Sequence, residues 1–125
     1  MGGIALLARE MGMEVSGSDT NVYPPMSTQL EQAGITLMAL DDLGQFKKRP
    51  DVVVIGNAMS RGNSAVEHVL NNNLMYTSGP AFLAEHILRN RWVLGVAGTH
   101  GKTSTSAMLA WILEYAGLAP GFLIG

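Results

Sequence analysis

The chain has no cysteine among its 125 residues. That excludes disulfides and thiolate metal sites, and it fits a cytoplasmic protein. No window approaches the ~18 uninterrupted apolar residues of a membrane span. The opening Met-Gly-Gly-Ile-Ala-Leu-Leu-Ala-Arg-Glu has no basic lead and only a short apolar run, so no secretion signal is expected there. The formal charge of −2 gives no reason to expect nucleic acid or anionic lipid as a partner. Repeats and low-complexity tracts are missing too. What is present is an apolar fraction of 47%, enough to fill a core. The length suits one domain, or one small domain and a piece of another.

Helix and strand signals alternate along the chain. Ile4, Leu7, Ala8 and Met11 share one face of a helix over 3–11, closed by Gly12. A short strand over 14–17 ends in Ser18-Asp19. Tyr23-Pro24-Pro25, a stiff extended entry, leads into a helix over 25–33. A strand over 36–40 and a helical turn over 43–47 follow. Residues 51–55 are the clearest strand, apolar on both faces as in a central parallel strand. Ser64 and Glu67 have the spacing of a capping box for a helix to about residue 72. A strand over 74–77, a helix capped by Ser78 and running to about 88, a strand over 92–97, a helix over 102–115 and a strand beginning at 121 complete the series.

Repeated β–α alternation predicts an α/β fold, a Rossmann-like parallel sheet with flanking helices. Two features depart from that plan. The chain opens on a helix where a doubly wound fold opens on its central strand. It also closes one βα unit after a polar seam at Arg89-Asn90-Arg91. Residues 1–90 are therefore expected to form one domain whose first strand is missing, and 91–125 the start of a second. An absent central strand would leave two ladders unpaired and an apolar slot between the helices. The chain is thus expected to begin at an internal methionine and to stop at an arbitrary boundary.

The most informative run is Val93-Leu94-Gly95-Val96-Ala97-Gly98-Thr99-His100-Gly101-Lys102-Thr103-Ser104. Glycines let a loop curl its backbone N–H groups around an anion, and the helix that follows adds its positive end. The amides from Gly98 to Ser104, through Thr99, His100 and Gly101, would cradle the phosphates of ATP. Lys102 would reach the β- and γ-phosphates, and the Thr103 hydroxyl would ligate Mg²⁺. The general phosphate-loop pattern puts glycine five positions before Gly101, where this chain has Val96. After Thr103 the only acid is Glu114, about three turns along its helix and too far to share the metal.

Gly-Thr-His-Gly-Lys-Thr after Trp-Val-Leu-Gly-Val-Ala resembles the ATP loop of the Mur ligases, which tolerate that departure. Met1-Gly2-Gly3 before a helix resembles the end of the family's glycine loop. Glu14-Val15-Ser16-Gly17-Ser18-Asp19 resembles its second strand and acidic end. The segments 21–28, 55–63 and 78–80 resemble the branch of the family that takes a murein tripeptide, rather than the branch that adds single L-alanine. The resemblance implies ATP-dependent amide-bond formation: the carboxylate of UDP-N-acetylmuramate becomes an acyl phosphate, and a murein peptide amine displaces phosphate. It implies Lys102 as the catalytic cation. It also implies a first strand and the rest of the glycine loop before Gly2 and Gly3, and a peptide-binding domain beyond residue 125.

By the same resemblance Ser18 and Asp19 face the uridine, though Asp19 could instead cap its own loop in an Asx turn. Asn57 and Arg61 follow the carboxyl end of the strongest strand, where such sheets bind ligands. Arg61 could meet diphosphate or the muramyl carboxylate; the plainer reading is a solvated turn with Asn63 as helix cap. His68 and His86 lack partners at metal spacing. Two other readings of the chain stay open. A dinucleotide- or CoA-binding module would not need Lys102-Thr103 or Mg²⁺. A P-loop kinase or GTPase would carry an acid at the end of a later strand.

Overall fold

The computed structural model describes residues 1–124 and divides into two units, Met1–Arg91 and Trp92–Gly125. The first unit holds α1 (Gly2–Glu10), β1 (Ser16–Ser18), α2 (Met26–Gln32), β2 (Thr36–Met38), a 3₁₀ turn (Leu43–Phe46), β3 (Val53–Ile55), α3 (Ser64–Asn71), β4 (Tyr76–Ser78), α4 (Gly79–Phe82) and a π-helical stretch (Leu83–Leu88). The second holds α5 (Lys102–Tyr115). The fold class is α/β.

Four short strands form two separate parallel pairs. Ser16, Gly17 and Ser18 of β1 lie opposite Thr36, Leu37 and Met38 of β2. Val53, Val54 and Ile55 of β3 lie opposite Tyr76, Thr77 and Ser78 of β4. No ladder joins the pairs among the described residues. Between β1 and β3 lies a cavity of about 440 Å³, walled by both strands and by Ile4 and Ala8 of α1 and Val66 and Val69 of α3.

The core is made where helix stripes turn inward. Ala65, Val66 and Val69 of α3 are buried, as are Ala8 of α1, Leu30 of α2 and Phe82 of α4; Ile35 and Leu74, in the connections ahead of β2 and β4, complete it. Their spacing on α3 is the i, i+1, i+4 pattern of one helix face. Gly34 ends α2 with a positive φ of 74°, which lets the chain reverse into β2.

Several local expectations are corrected. The cap of α3 is Asn63, not Ser64: its Oδ1 accepts the N–H groups of Ala65 (3.0 Å) and Val66 (3.2 Å). With Asn63 at the cap, Glu67 falls one position too late for a capping box and turns back toward Gly62 instead. Pro24 and Pro25 lie in a turn rather than an extended run, and α2 begins at Met26. Ser78 does cap α4, accepting the Ala81 N–H at 3.3 Å. After Phe82 the α-helical repeat widens to π geometry, which apolar spacing alone does not distinguish from α.

The expected strand over 92–97 does not form. A strand exists only through a ladder, and among the described residues of the second unit there is no other strand to pair with it. Residues 121–124 are likewise not strand, and Gly125 lies outside the described residues. None of the described residues in this unit is buried, and Trp92, Trp111 and Tyr115 are 95%, 71% and 86% exposed.

Gly79 tests the packing of α1 on α4. It is buried, and a methyl placed there would sit 2.9 Å from Ile4 Cδ1 and 3.2 Å from Met1 Sδ. Gly79→Ala is expected to be mild, because flexible side-chain ends can give way. Gly79→Leu should cost about 1–3 kcal/mol by overpacking, read as a lower urea midpoint at unchanged slope.

Candidate functional site

Strand β1 carries the chain to Ser18 and Asp19, and β3 carries it to Gly56 and Asn57. Ser18, Asp19 and Asn57 all line the cavity between the two strands. Three of the sugar-site residues expected from sequence are thus brought to one space. Gly2, Gly3 and Arg61 are not part of its wall. Gly2 starts α1 and lies close against the Met26 side chain, so its lack of a side chain also serves the α1–α2 contact.

Ser18 and Asp19 are both hydrogen-bonded. Ser18 Oγ donates to Gln45 Oε1 at 2.7 Å, and Gln45 Nε2 donates to the Leu40 carbonyl at 3.4 Å. Gln45 is a wall residue that sequence reasoning missed, since nothing in its local pattern marks it. Asp19 Oδ1 accepts the Asn21 N–H at 3.2 Å and the Thr20 hydroxyl at 3.4 Å. That is the Asx turn. It occupies one carboxylate oxygen and orients the group at the end of β1.

Arg61 is held by Glu67. Its Nε donates to Oε1 at 2.7 Å and its Nη2 to Oε2 at 3.0 Å, a two-pronged ion pair. The same Oε1 accepts the Gly62 N–H at 2.9 Å, so one carboxylate pins the loop after β3 to the first turn of α3. The hydrogen bond to Glu67 and the Glu67 charge raise the Arg61 guanidinium above its ordinary value. Glu67 is lowered, first by the Arg61 hydrogen bond and then by that of Gly62. Of the histidines, His68 stacks on Phe46 with centroids 4.7 Å apart, and His86 meets Phe82 at 4.7 Å.

In the second unit the glycine loop runs directly into α5. Gly101 is the residue before the helix, with φ 74° and ψ 6°. Only glycine adopts that left-handed conformation without cost, and it lets the loop turn sharply enough for Lys102 to open the helix. Thr105 donates its N–H to the Gly101 carbonyl at 2.9 Å, the first bond of the helical ladder. The first-turn amides of α5, including those of Lys102 and Ser104, therefore belong to the positive end of the helix. Lys102 Nζ folds back over the loop and donates to the carbonyls of Gly98 at 2.8 Å and Thr99 at 3.3 Å. Thr99, His100 and Ser104 are exposed. Among the described residues no group of three or more His, Cys, Asp or Glu could hold a metal ion. Thr103 contributes one oxygen in the first turn of α5, which suits a Mg²⁺ that brings its other oxygens from phosphate and water.

A protein-family model described as "Mur ligase family, catalytic domain" matches residues 1–91. The UDP-N-acetylmuramate–L-alanyl-γ-D-glutamyl-meso-2,6-diaminoheptandioate ligase of Haemophilus influenzae is 61% identical over 125 residues, 100% of this chain and 28% of that protein. The UDP-N-acetylmuramate–L-alanine ligase of Lactobacillus johnsonii is 36% identical over 126 residues, again 100% of this chain and 28% of that protein. The crystal structure of UDP-N-acetylmuramate:L-alanyl-γ-D-glutamyl-meso-diaminopimelate ligase from Neisseria meningitides superposes with a TM-score of 0.95 at 60% identity. It covers 100% of this chain and 39% of that one. The chain thus spans 28% of the length of the two curated relatives.

The Glu67 pin gives a pH prediction. A lowered carboxylate contributes stability above its unfolded value and loses it as pH falls through its folded value. The Gly62 amide shift, followed by NMR, should titrate with a midpoint below the ordinary glutamate value of about 4.3. In Glu67→Gln it should stay near its low-pH position throughout. A midpoint at or above the ordinary value contradicts the pin.

Proposed function

Because the chain belongs to the Mur ligase family, we propose that it is part of an ATP-dependent ligase that joins a murein tripeptide to UDP-N-acetylmuramate. The observation that carries this reading is likeness over the whole chain to the tripeptide ligases, 61% identity against 36% for the L-alanine ligase. A bare dinucleotide-binding module would give no reason for Lys102 to sit where the loop becomes a helix.

In this reading the first unit is a Rossmann-like domain that binds the UDP-sugar, and the second, with its glycine loop and α5, is the start of an ATP-binding domain. Ser18 and Asp19 hold the uridine end, with Asn57 across the cavity. Gly2 and Gly3 admit the diphosphate to the start of α1. Arg61 acts on the sugar phosphate or muramyl carboxylate only after exchanging one prong of its Glu67 pair for the ligand. Gly98, Thr99, His100, Gly101 and Ser104 shape the phosphate loop. Substrates of this kind, ATP and a UDP-sugar, place the reaction in the cytoplasm.

Lys102 supports phosphoryl transfer through its charge. Its ammonium rests on the Gly98 and Thr99 carbonyls, within the loop that would enclose the phosphates. An anion arriving there takes up the ammonium and the helix end together, and the charge that spreads over the transferred group meets fixed donors. Thr103 would hold Mg²⁺, which when bound neutralises phosphate charge. Gly101 keeps the loop-to-helix turn, so that the donors need not reorganise during the reaction.

The test is a chimera. The 125 residues replace the matching span of the Haemophilus influenzae relative, and ATP-dependent joining of tripeptide to UDP-N-acetylmuramate is assayed. Activity with tripeptide and little with L-alanine is expected. Lys102→Ala should lower kcat by about 10²–10³-fold, while Gly101→Ala should weaken Mg-ATP binding by straining the turn. An inactive chimera that still folds, or a Lys102→Ala variant with unchanged kcat and Mg-ATP affinity, refutes the reading.

A further inference from the structure

We propose that Gln45 is a positioning residue of the nucleotide site, one that fixes the Ser18 hydroxyl as a hydrogen-bond acceptor toward bound ligand. The end of β1 then reads proton donors on the nucleoside and rejects acceptors. The inference rests on the ligase reading above and adds to it a residue and a rule of selectivity.

The first observation is the direction of the Gln45 amide. Its two ends differ: the oxygen only accepts and the nitrogen only donates. Nε2 lies 3.4 Å from the Leu40 carbonyl, and Oε1 lies 2.7 Å from Ser18 Oγ. The reverse orientation would set two carbonyl oxygens against each other, so the Leu40 carbonyl selects the one seen. With Oε1 turned to Ser18, the proton of that bond comes from the hydroxyl. A serine hydroxyl has one proton and two lone pairs. With its proton given to Gln45, Ser18 meets any other group through its lone pairs. Asp19 follows directly, and an ionised carboxylate also only accepts. Two neighbouring acceptors therefore stand at the end of β1. Uridine presents both kinds of group: its ribose hydroxyls and uracil ring N–H donate, and its uracil carbonyls accept. Only the donors suit this end of the strand.

The second observation is that Gln45 is held in place. The 3₁₀ turn that carries it is capped by Asp42, whose Oδ1 accepts the Gly44 N–H at 2.8 Å. The next residue, Phe46, stacks on His68 of α3. From that anchorage one side chain ties the end of β1 to the loop after β2. Asp19 and Leu40 are the two residues shared by the cavity beside β1 and a second one of about 420 Å³, bounded also by Asp41 and by Asn63 ahead of α3. The Ser18–Gln45–Leu40 bridge thus joins the walls of both spaces.

The test uses the chimera with the Haemophilus influenzae relative and reads nucleotide binding by calorimetry, apart from turnover. The ligands are UDP-N-acetylmuramate and three versions in which one donor is exchanged for an acceptor: cytosine for uracil, and fluorine for the 2′- or the 3′-hydroxyl. At least one exchange is expected to weaken binding by about tenfold or more, and that arm identifies the donor. In Gln45→Met the Ser18 hydroxyl turns freely and can donate, so the same exchange should cost only about two- to threefold. Ser18→Ala removes the acceptor itself and is expected to lower the penalty as far, without disturbing the Leu40 loop. Gln45→Glu keeps an acceptor for Ser18 and is expected to keep the full penalty, even where the lost Leu40 bond weakens all four ligands alike. A merely structural glutamine behaves otherwise: Gln45→Met then weakens all four ligands by one factor and leaves their ratios unchanged. That result overturns the inference, as does the absence of any penalty in the parent chimera or its loss in Gln45→Glu. Failure of UDP-N-acetylmuramate itself to bind the folded chimera is a separate outcome, which defeats the ligase reading and the inference with it.

Discussion

Parallel strands must satisfy backbone groups on both edges while helices cover both faces, and the first unit is organised around that requirement. β1 and β2 meet it along one ladder, β3 and β4 along another. Between the two ladders no pairing is present among the described residues, and helices wall a cavity there. Ile4 of α1 lines that cavity and also packs against the buried Gly79 at the start of α4. The core is correspondingly modest: its buried members are mainly small or medium aliphatic residues, with Phe82 the one aromatic ring.

The same geometry places the chemistry. Ligand-binding groups in parallel α/β folds gather at the carboxyl ends of strands, where successive loops leave the sheet on the same side. Ser18 at the end of β1, Asp19 just after it and Asn57 after β3 line the same cavity. The loop after β3 is then fastened by Glu67, which takes two bonds from Arg61 and one from Gly62. The Arg61 side chain is largely solvent-facing, 77% exposed against 29% for Glu67, so the pin acts by holding a loop in shape more than by adding stability.

The glycine loop rests on a different principle. Its residues are neighbours in sequence, so its shape is set by local conformation. Gly101 takes the left-handed region, α5 starts at Lys102, and the Lys102 ammonium folds back onto the Gly98 carbonyl. The rest of that unit has no such independence. α5 presents Met108, Trp111, Ile112 and Tyr115 to solvent, and their i, i+3, i+4, i+7 spacing puts them in one apolar stripe along the helix.

Local signals were therefore enough for some features. Apolar spacing and end signals placed all five helix starts to within one residue, and the Gly-Thr-His-Gly-Lys-Thr segment marked the turn into α5, because helices and glycine turns depend on near neighbours. Features that depend on distant partners were not legible in that way. Arg61 gave no sign of choosing Glu67 over a ligand. Residues 92–97 have the composition of a strand but no ladder, and Ser18 found Gln45 across a long stretch of sequence. Strand pairing, ion pairing and cavity walls are relations between segments, and only folding brings those segments within reach.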